Sequence, residues 1–242
     1  MRRFAPLLLV VLAGCGSQAA PAPERPATVR PAFTPAKERD TRPKGRWLTA
    51  RITRRVRMRA APGERRLHAR LTPRTEFGSA KVVSVLARRR GWLRVIAPER
   101  PTGRPAWIPA GATVLGAVDV SMHVDRSARR LTVRRGKRVV RTLPVAVGRP
   151  GTETPTGRFA VTDRLHTSRA DSPYGCCALA LSGHQPKLLA GWPGGDRLAI
   201  HATPQAGSVG EAASLGCLRA RTRDMQALMR IVPLGAPVFV TL

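Results

Sequence analysis

A chain of 242 residues, 43% of them apolar, can bury one large core or two small ones. Its formal net charge of +29 arises from 43 Lys and Arg against 14 Asp and Glu, spread along the whole chain, while aromatic residues make up only 4%. A nucleic-acid reader gathers its charge on one face and interleaves aromatics for stacking, so that class is set aside; such a field instead favours anionic lipids and acidic wall polymers.

The first residues set the compartment. Arg2 and Arg3 form a charged region, Phe4 to Leu12 is apolar but too short to span a bilayer, and Leu12-Ala13-Gly14-Cys15 follows. This arrangement resembles a bacterial lipoprotein signal peptide. The resemblance implies that residues 1–14 are removed and that Cys15 is diacylated, tying the protein to the outer face of the cytoplasmic membrane; ordinary secretory cleavage after Ala20 is the alternative and predicts release. Either route places the mature protein outside the cytoplasmic membrane, and loss of Arg2 and Arg3 takes the net charge from +29 to +27. Residues 15–45 are rich in Pro, Ala and charge without apolar periodicity, which reads as a tether with little apolar surface to offset the entropy of ordering.

From residue 46 to 116 short apolar runs alternate with turn residues: Val56 to Arg59, Ala61-Pro62-Gly63, Lys81 to Leu86, Trp92 to Ile96 and Ala106 to Pro109. Alternation over four to six residues between Gly and Pro predicts short strands, and a small β-barrel closes such strands. Trp92 and Trp107 are expected in its core. The pieces VRMRAAPG, RGWLRV and AWIP resemble, in that order, a bacterial Src-homology-3-like domain, and the resemblance implies a wall-binding or positioning module, with a mere spacer as the alternative.

Residues 117–242 continue in the same manner. Val120, Met122 and Val124 alternate, Leu131 and Val133 follow, and Arg135-Gly136-Lys137 predicts a hairpin turn before Val139. Thr154-Pro155-Thr156-Gly157 predicts a turn that shapes a sheet edge. Between His166 and Gly195 the chain reads as loop. A helix is expected after Cys217, with Thr222 as N-cap, Asp224 in its first turn and Met225, Leu228, Met229 and Val232 on its core face, until Pro233 and Gly235 stop it. Its N-terminus would pin the Cys217 loop, and its dipole would favour a thiolate there. Residues 236–242 would close the sheet as a last strand.

Chemistry concentrates in Arg197 to Arg219, RLAIHATPQAGSVGEAASLGCLR. His201 ends an apolar run, and Cys217 follows in Ser214-Leu215-Gly216-Cys217-Leu218-Arg219. A cysteine attacks as thiolate, so its proton must be taken by a neighbour or its pKa lowered by a cation or backbone dipoles, and His201 can serve. Gly216 keeps side-chain bulk away from an incoming carbonyl and permits backbone angles at which nearby N–H groups face an oxyanion.

The segments Ile200-His201-Ala202, Ser214 to Arg219 and Thr154 to Phe159 resemble, in the right order, the signature of the L,D-transpeptidase (YkuD-like) family. Ala202 stands where glycine or serine is usual. The resemblance implies a mainly β fold, a small Src-homology-3-like β-barrel followed by an L,D-transpeptidase-type β-sandwich with one or two short helices. It also implies Cys217 as nucleophile, His201 as base and the backbone carbonyl of Ala202 as orienter of the imidazole, with Ser214, Gly216 and Arg219 about the nucleophile and no cofactor. The implied reaction joins third-position residues of peptidoglycan stem peptides through a cysteine acyl-enzyme. An L,D-carboxypeptidase that trims tetrapeptide stems, or a wall-binding lipoprotein without activity, are the alternatives. Tyr174 and His184 are candidates for touching the peptide, each equally suited to packing. His184 with Cys176, Cys177 and His201 is a poor zinc set, because adjacent cysteines chelate badly, and no metal is expected. A bridge from either of Cys176 and Cys177 to Cys217 would block the nucleophile; a vicinal bridge and two free thiols both remain open. The chain is expected to act as a monomer.

Overall fold

The computed structural model describes residues 46–167, 172–188 and 195–242. The signal peptide, Cys15 and the tether lie outside the described residues. Those described belong to one unit, Glu38–Leu242.

Seven strands come first: β1 Trp47–Ile52, β2 Val56–Arg59, β3 Leu67–Leu71, β4 Val82–Arg89, β5 Trp92–Ile96, β6 Ala106–Pro109 and β7 Thr113–Val118. They form one antiparallel sheet in the order β3-β2-β6-β5-β4-β1-β7. Period-two patterning sends Met58, Leu93, Val95, Ala106 and Ile108 into a shared core with Ile52 and Leu71. The same alternation turns Trp92, Arg94 and Trp107 the other way: both tryptophans are only half-buried, which corrects the expectation that they fill the core. Leu93 and Ile108, one residue away on each strand, occupy the places assigned to them.

The second sheet has eight strands, built from β8 Val120–Asp125, β9 Arg130–Arg135, β10 Arg138–Pro144, β12 Gly157–His166, β13 Cys177–His184, β14 Arg197–Ala202, β16 Leu218–Ala220 and β17 Pro237–Thr241. Two further short strands, β11 Val147–Gly148 and β15 Ala212–Ser214, pair in parallel beside it, and α1 spans Thr222–Ile231. The sheet order is β10-β9-β8-β17-β12-β13-β14-β16. The fold is mainly β, with α1 the one α-helix among the described residues.

Four expectations are corrected here. The segment read as loop contains β13, whose first seven residues are buried. Cys-Ala-Leu-Ala-Leu-Ser-Gly has no polar alternation because residues on both faces of the strand are buried. The last strand does not close an edge: β17 is inserted between β8, to which it is parallel, and β12, so the chain end sits mid-sheet. The turn ending at Gly157 therefore feeds an interior strand. The hairpin at Gly136 and Lys137, between β9 and β10, forms as expected. The α1 core face is Met225, Leu228 and Met229, while Arg221, not Thr222, occupies the N-cap position and offers no capping hydrogen bond.

Candidate active site

Parallel pairing of β14 with β16 is the decisive local event. It sets Ile200 opposite Leu218, His201 opposite Arg219 and Ala202 opposite Ala220. Cys217, immediately before β16, continues that register level with Ala199, and it lines one cleft with His201 although fifteen residues separate them in sequence. Ala146 holds the far side of β16 through two backbone hydrogen bonds with Arg219.

His201 is 5% exposed, and its Nδ1 lies 2.6 Å from the carbonyl oxygen of Ala202. A carbonyl only accepts, so Nδ1 carries the proton and Nε2 is the nitrogen with an open lone pair. Burial pushes the imidazole pKa down to about 4; the bond to Ala202 acts upward, and the cation of Arg219 adds to the downward push. Cys217 is the free cysteine among the described residues and keeps partial exposure at the cleft floor. Burial pushes its thiol up, opposed by the Ala199 backbone and by Arg219. The thiol faces the carbonyl of Arg197 at 3.7 Å. Both shifts favour the uncharged forms, a neutral imidazole and a neutral thiol, over a preformed ion pair.

The turn before Cys217 is tied from two sides. Ser214 Oγ donates to Cys217 O (2.5 Å) and accepts the Gly216 N–H (3.0 Å). Gly216 adopts φ +120°, and a Cβ there would lie 2.1 Å from Gln185 Nε2. That amide donates toward Leu215 O (3.1 Å), Thr152 O (3.1 Å) and Glu153 O (3.2 Å), fastening the nucleophile turn to the Thr154-Pro155 turn. Gln185, 5% exposed, was not singled out in the sequence. Its signal there is faint: one polar residue between His184 and Pro186.

The cleft, a cavity of about 90 Å³, is lined by Tyr174, Gln185, Arg197, His201, Ser214, Cys217 and Arg219 among others. Tyr174 stands edge-on to the His201 ring with centroids 5.0 Å apart, and its hydroxyl pKa is raised by burial and by the charge Cys217 would carry. Gly175, at φ +60°, packs on Ala202 so closely that a Cβ would lie 2.6 Å from the Ala202 Cβ. His184 is not brought to the cleft. Its Nδ1 meets Asp196 Oδ1 (2.8 Å) and its Nε2 meets Pro98 O (2.7 Å), so it joins the two sheets. Cys176 and Cys177 are bonded to each other and leave Cys217 unblocked. The α1 N-terminus does not flank the thiol as expected, because β16 intervenes. Among the described residues no group of three or more His, Cys, Asp or Glu is placed to hold a metal ion.

The family profile of the YkuD L,D-transpeptidase catalytic domain matches residues 119–240. The chain belongs to this family. Among curated L,D-transpeptidase homologues, YkuD of Bacillus subtilis is 34% identical over 48% of this chain and 63% of its own length. YqjB of the same organism is 30% identical over 57% of this chain and 78% of its own length. The chain thus spans somewhat less than two thirds of the YkuD relatives. In shape it is similar to the L,D-transpeptidase from Mycobacterium smegmatis, at TM-score 0.41 and 17% identity over 68% of this chain and 92% of that one. The family match contains all of His201, Ala202, Ser214, Gly216, Cys217 and Arg219.

Proposed function

We propose that this L,D-transpeptidase-family chain is a peptidoglycan L,D-transpeptidase acting through an acyl-enzyme on Cys217. The observation that carries the reading is the neutral His201, whose Nδ1 proton is committed to Ala202 O beside the cleft that Cys217 opens into. Nε2 takes the thiol proton as sulfur attacks the carbonyl of the third stem residue, and the resulting imidazolium gives that proton to the departing amine of the terminal D-alanine. A side-chain amine of a second stem then attacks the thioester, His201 again takes and returns the proton, and the thiol is restored.

The tetrahedral oxyanion needs donors at the nucleophile, and a lost donor costs about 2.7–4 kcal/mol in sites of this kind. The Gly216 N–H is already held by Ser214 Oγ, so the Cys217 N–H is the backbone donor nearest the sulfur. Arg219, lining the cleft, offers positive charge to stem carboxylates. The envelope location, with Cys15 as lipid anchor, is part of the same proposal; the charge of +29 supports it by favouring anionic lipid and wall surfaces.

Incubation of the soluble form lacking residues 1–15 with a purified disaccharide-tetrapeptide tests the reading by product mass. A cross-linked dimer supports transpeptidation. A tripeptide alone makes the protein an L,D-carboxypeptidase, and an unchanged substrate removes the enzymatic reading.

A further inference from the structure

Residues at the facing ends of β13 and β14 wall the cleft: Gln185, Asp196 and Arg197 all line it. The two strand ends, His184 and Arg197, are ladder partners. Both are gripped by the other sheet. At His184, the Thr102 hydroxyl accepts the backbone N–H (2.8 Å) and donates to the backbone carbonyl (3.0 Å), while Pro98 O receives the ring Nε2–H. At Arg197, Nη1 meets Glu76 Oε1 at 2.6 Å, with Nε on Leu181 O and Nη2 on Thr162 Oγ1, both at 2.9 Å. Beside it the Thr75 hydroxyl donates to the Asp163 carboxylate, which is fully buried.

We propose that the seven-stranded sheet is a working part of the active site: it clamps His184 and Arg197, the facing ends of β13 and β14, with Glu76 and Thr102 as positioning residues. The proposal rests on Cys217 being the nucleophile. The chain of contacts from clamp to sulfur is short. Arg197 spends its guanidinium on Glu76 and its carbonyl on the Cys217 thiol, so one residue spans both. Gln185 follows His184 directly, binds Asp196 O through its backbone N–H (2.7 Å) and holds Leu215 of the nucleophile turn. Loosening either end shifts the wall against which the thiol is set. A misplacement of about 1 Å near reacting atoms costs roughly 100-fold in rate, so release of one of two clamps is assigned about tenfold.

The test is made on the full chain with Glu76→Gln, Glu76→Asp, Thr102→Val and the wild type. Three quantities are read: the rate of Cys217 acylation by a carbapenem, the pH profile of Cys217 alkylation by iodoacetamide, and Tm. We expect Glu76→Gln and Thr102→Val each to slow acylation about tenfold and to displace the alkylation profile, with Tm within about 3 °C of wild type, and Glu76→Asp to restore most of the rate. Unchanged acylation and alkylation in both variants, or rate losses that simply follow Tm, overturn the clamp. A wild type that the carbapenem leaves unmodified is a failure of the proposed function; alkylation still decides the clamp in that case, because it needs only the thiol.

Discussion

Replacing Gly216 by alanine perturbs the nucleophile turn at its tightest point. The residue sits at φ +120°, where an L side chain is strained by about 1–3 kcal/mol. The new methyl would lie 2.1 Å from Gln185 Nε2 and 3.1 Å from Gln185 Cδ, so the amide must leave its place. It then abandons Leu215 O, Thr152 O and Glu153 O, and a buried carbonyl without a donor costs a further 1–3 kcal/mol or so. The total of about 2–6 kcal/mol corresponds to a fall in Tm of roughly 5–20 °C for a domain of this size. Acylation of Cys217 should fall by about 100-fold, because the sulfur and its N–H move together. Differential scanning calorimetry and single-turnover acylation measure the two effects. Adding Gln185→Ala removes the clash but not the backbone strain, so the double variant should be more stable than additivity predicts by at least about 1 kcal/mol. Wild-type Tm and rate in Gly216→Ala, or strict additivity in the double variant, would refute the packing argument.

Other expectations follow from the same geometry. His201 must be neutral to accept a proton, and its folded-state pKa is about 4, so acylation should persist at pH 5.5 and fail only as pH drops through about 4; an acid limb near 6.5 in the pH–rate profile would contradict the buried neutral base. The same depression makes the unfolded chain the stronger proton binder between about 4 and 6.5, so stability from His201 is full above that window and lost as pH falls through it. His201→Asn should therefore flatten the Tm-versus-pH curve there. Ala202→Gly keeps the carbonyl that holds Nδ1 and should lower acylation less than about tenfold, or ~1.4 kcal/mol; a larger loss would count against that carbonyl as the orienter. Tyr174→Phe should retain the edge contact with His201 and nearly all activity, whereas Tyr174→Ala should cost several-fold in single-turnover rate. Alkylation of the form lacking residues 1–15 should label one cysteine before reduction and three after it, as mass spectrometry would show.

That His201 and Cys217 share one cleft was legible in the sequence because the pattern is local: a histidine near a strand end and a cysteine behind a glycine need only neighbouring strands to face one cavity, and the pairing of β14 with β16 supplies them. The bond between His201 and the Ala202 carbonyl was expected from the family resemblance alone. What escaped depends on which faces are covered. β13 carries no alternation because both of its faces are buried, and a continuous apolar run reads equally well as several things. Trp92 and Trp107 look like core by composition, yet strand parity turns them outward and gives the core to Leu93 and Ile108. Gln185 matters through three carbonyls from two distant turns, Thr152, Glu153 and Leu215, and no spacing rule connects it with them. The Glu76 and Thr102 contacts belong to the same class, since they join segments separated by 121 and 82 residues.

The central claim is that Cys217 forms the acyl-enzyme with His201 as its base. Intact-mass spectrometry of the form lacking residues 1–15, after incubation with a carbapenem and separately with a disaccharide-tetrapeptide, tests it most directly. The account predicts a stoichiometric carbapenem adduct on the wild type, absent in Cys217→Ser and formed much more slowly in His201→Asn, together with release of D-alanine from the tetrapeptide. No adduct and no D-alanine from a protein whose Cys217 thiol is titrated as free, or an adduct that survives Cys217→Ser, would contradict it.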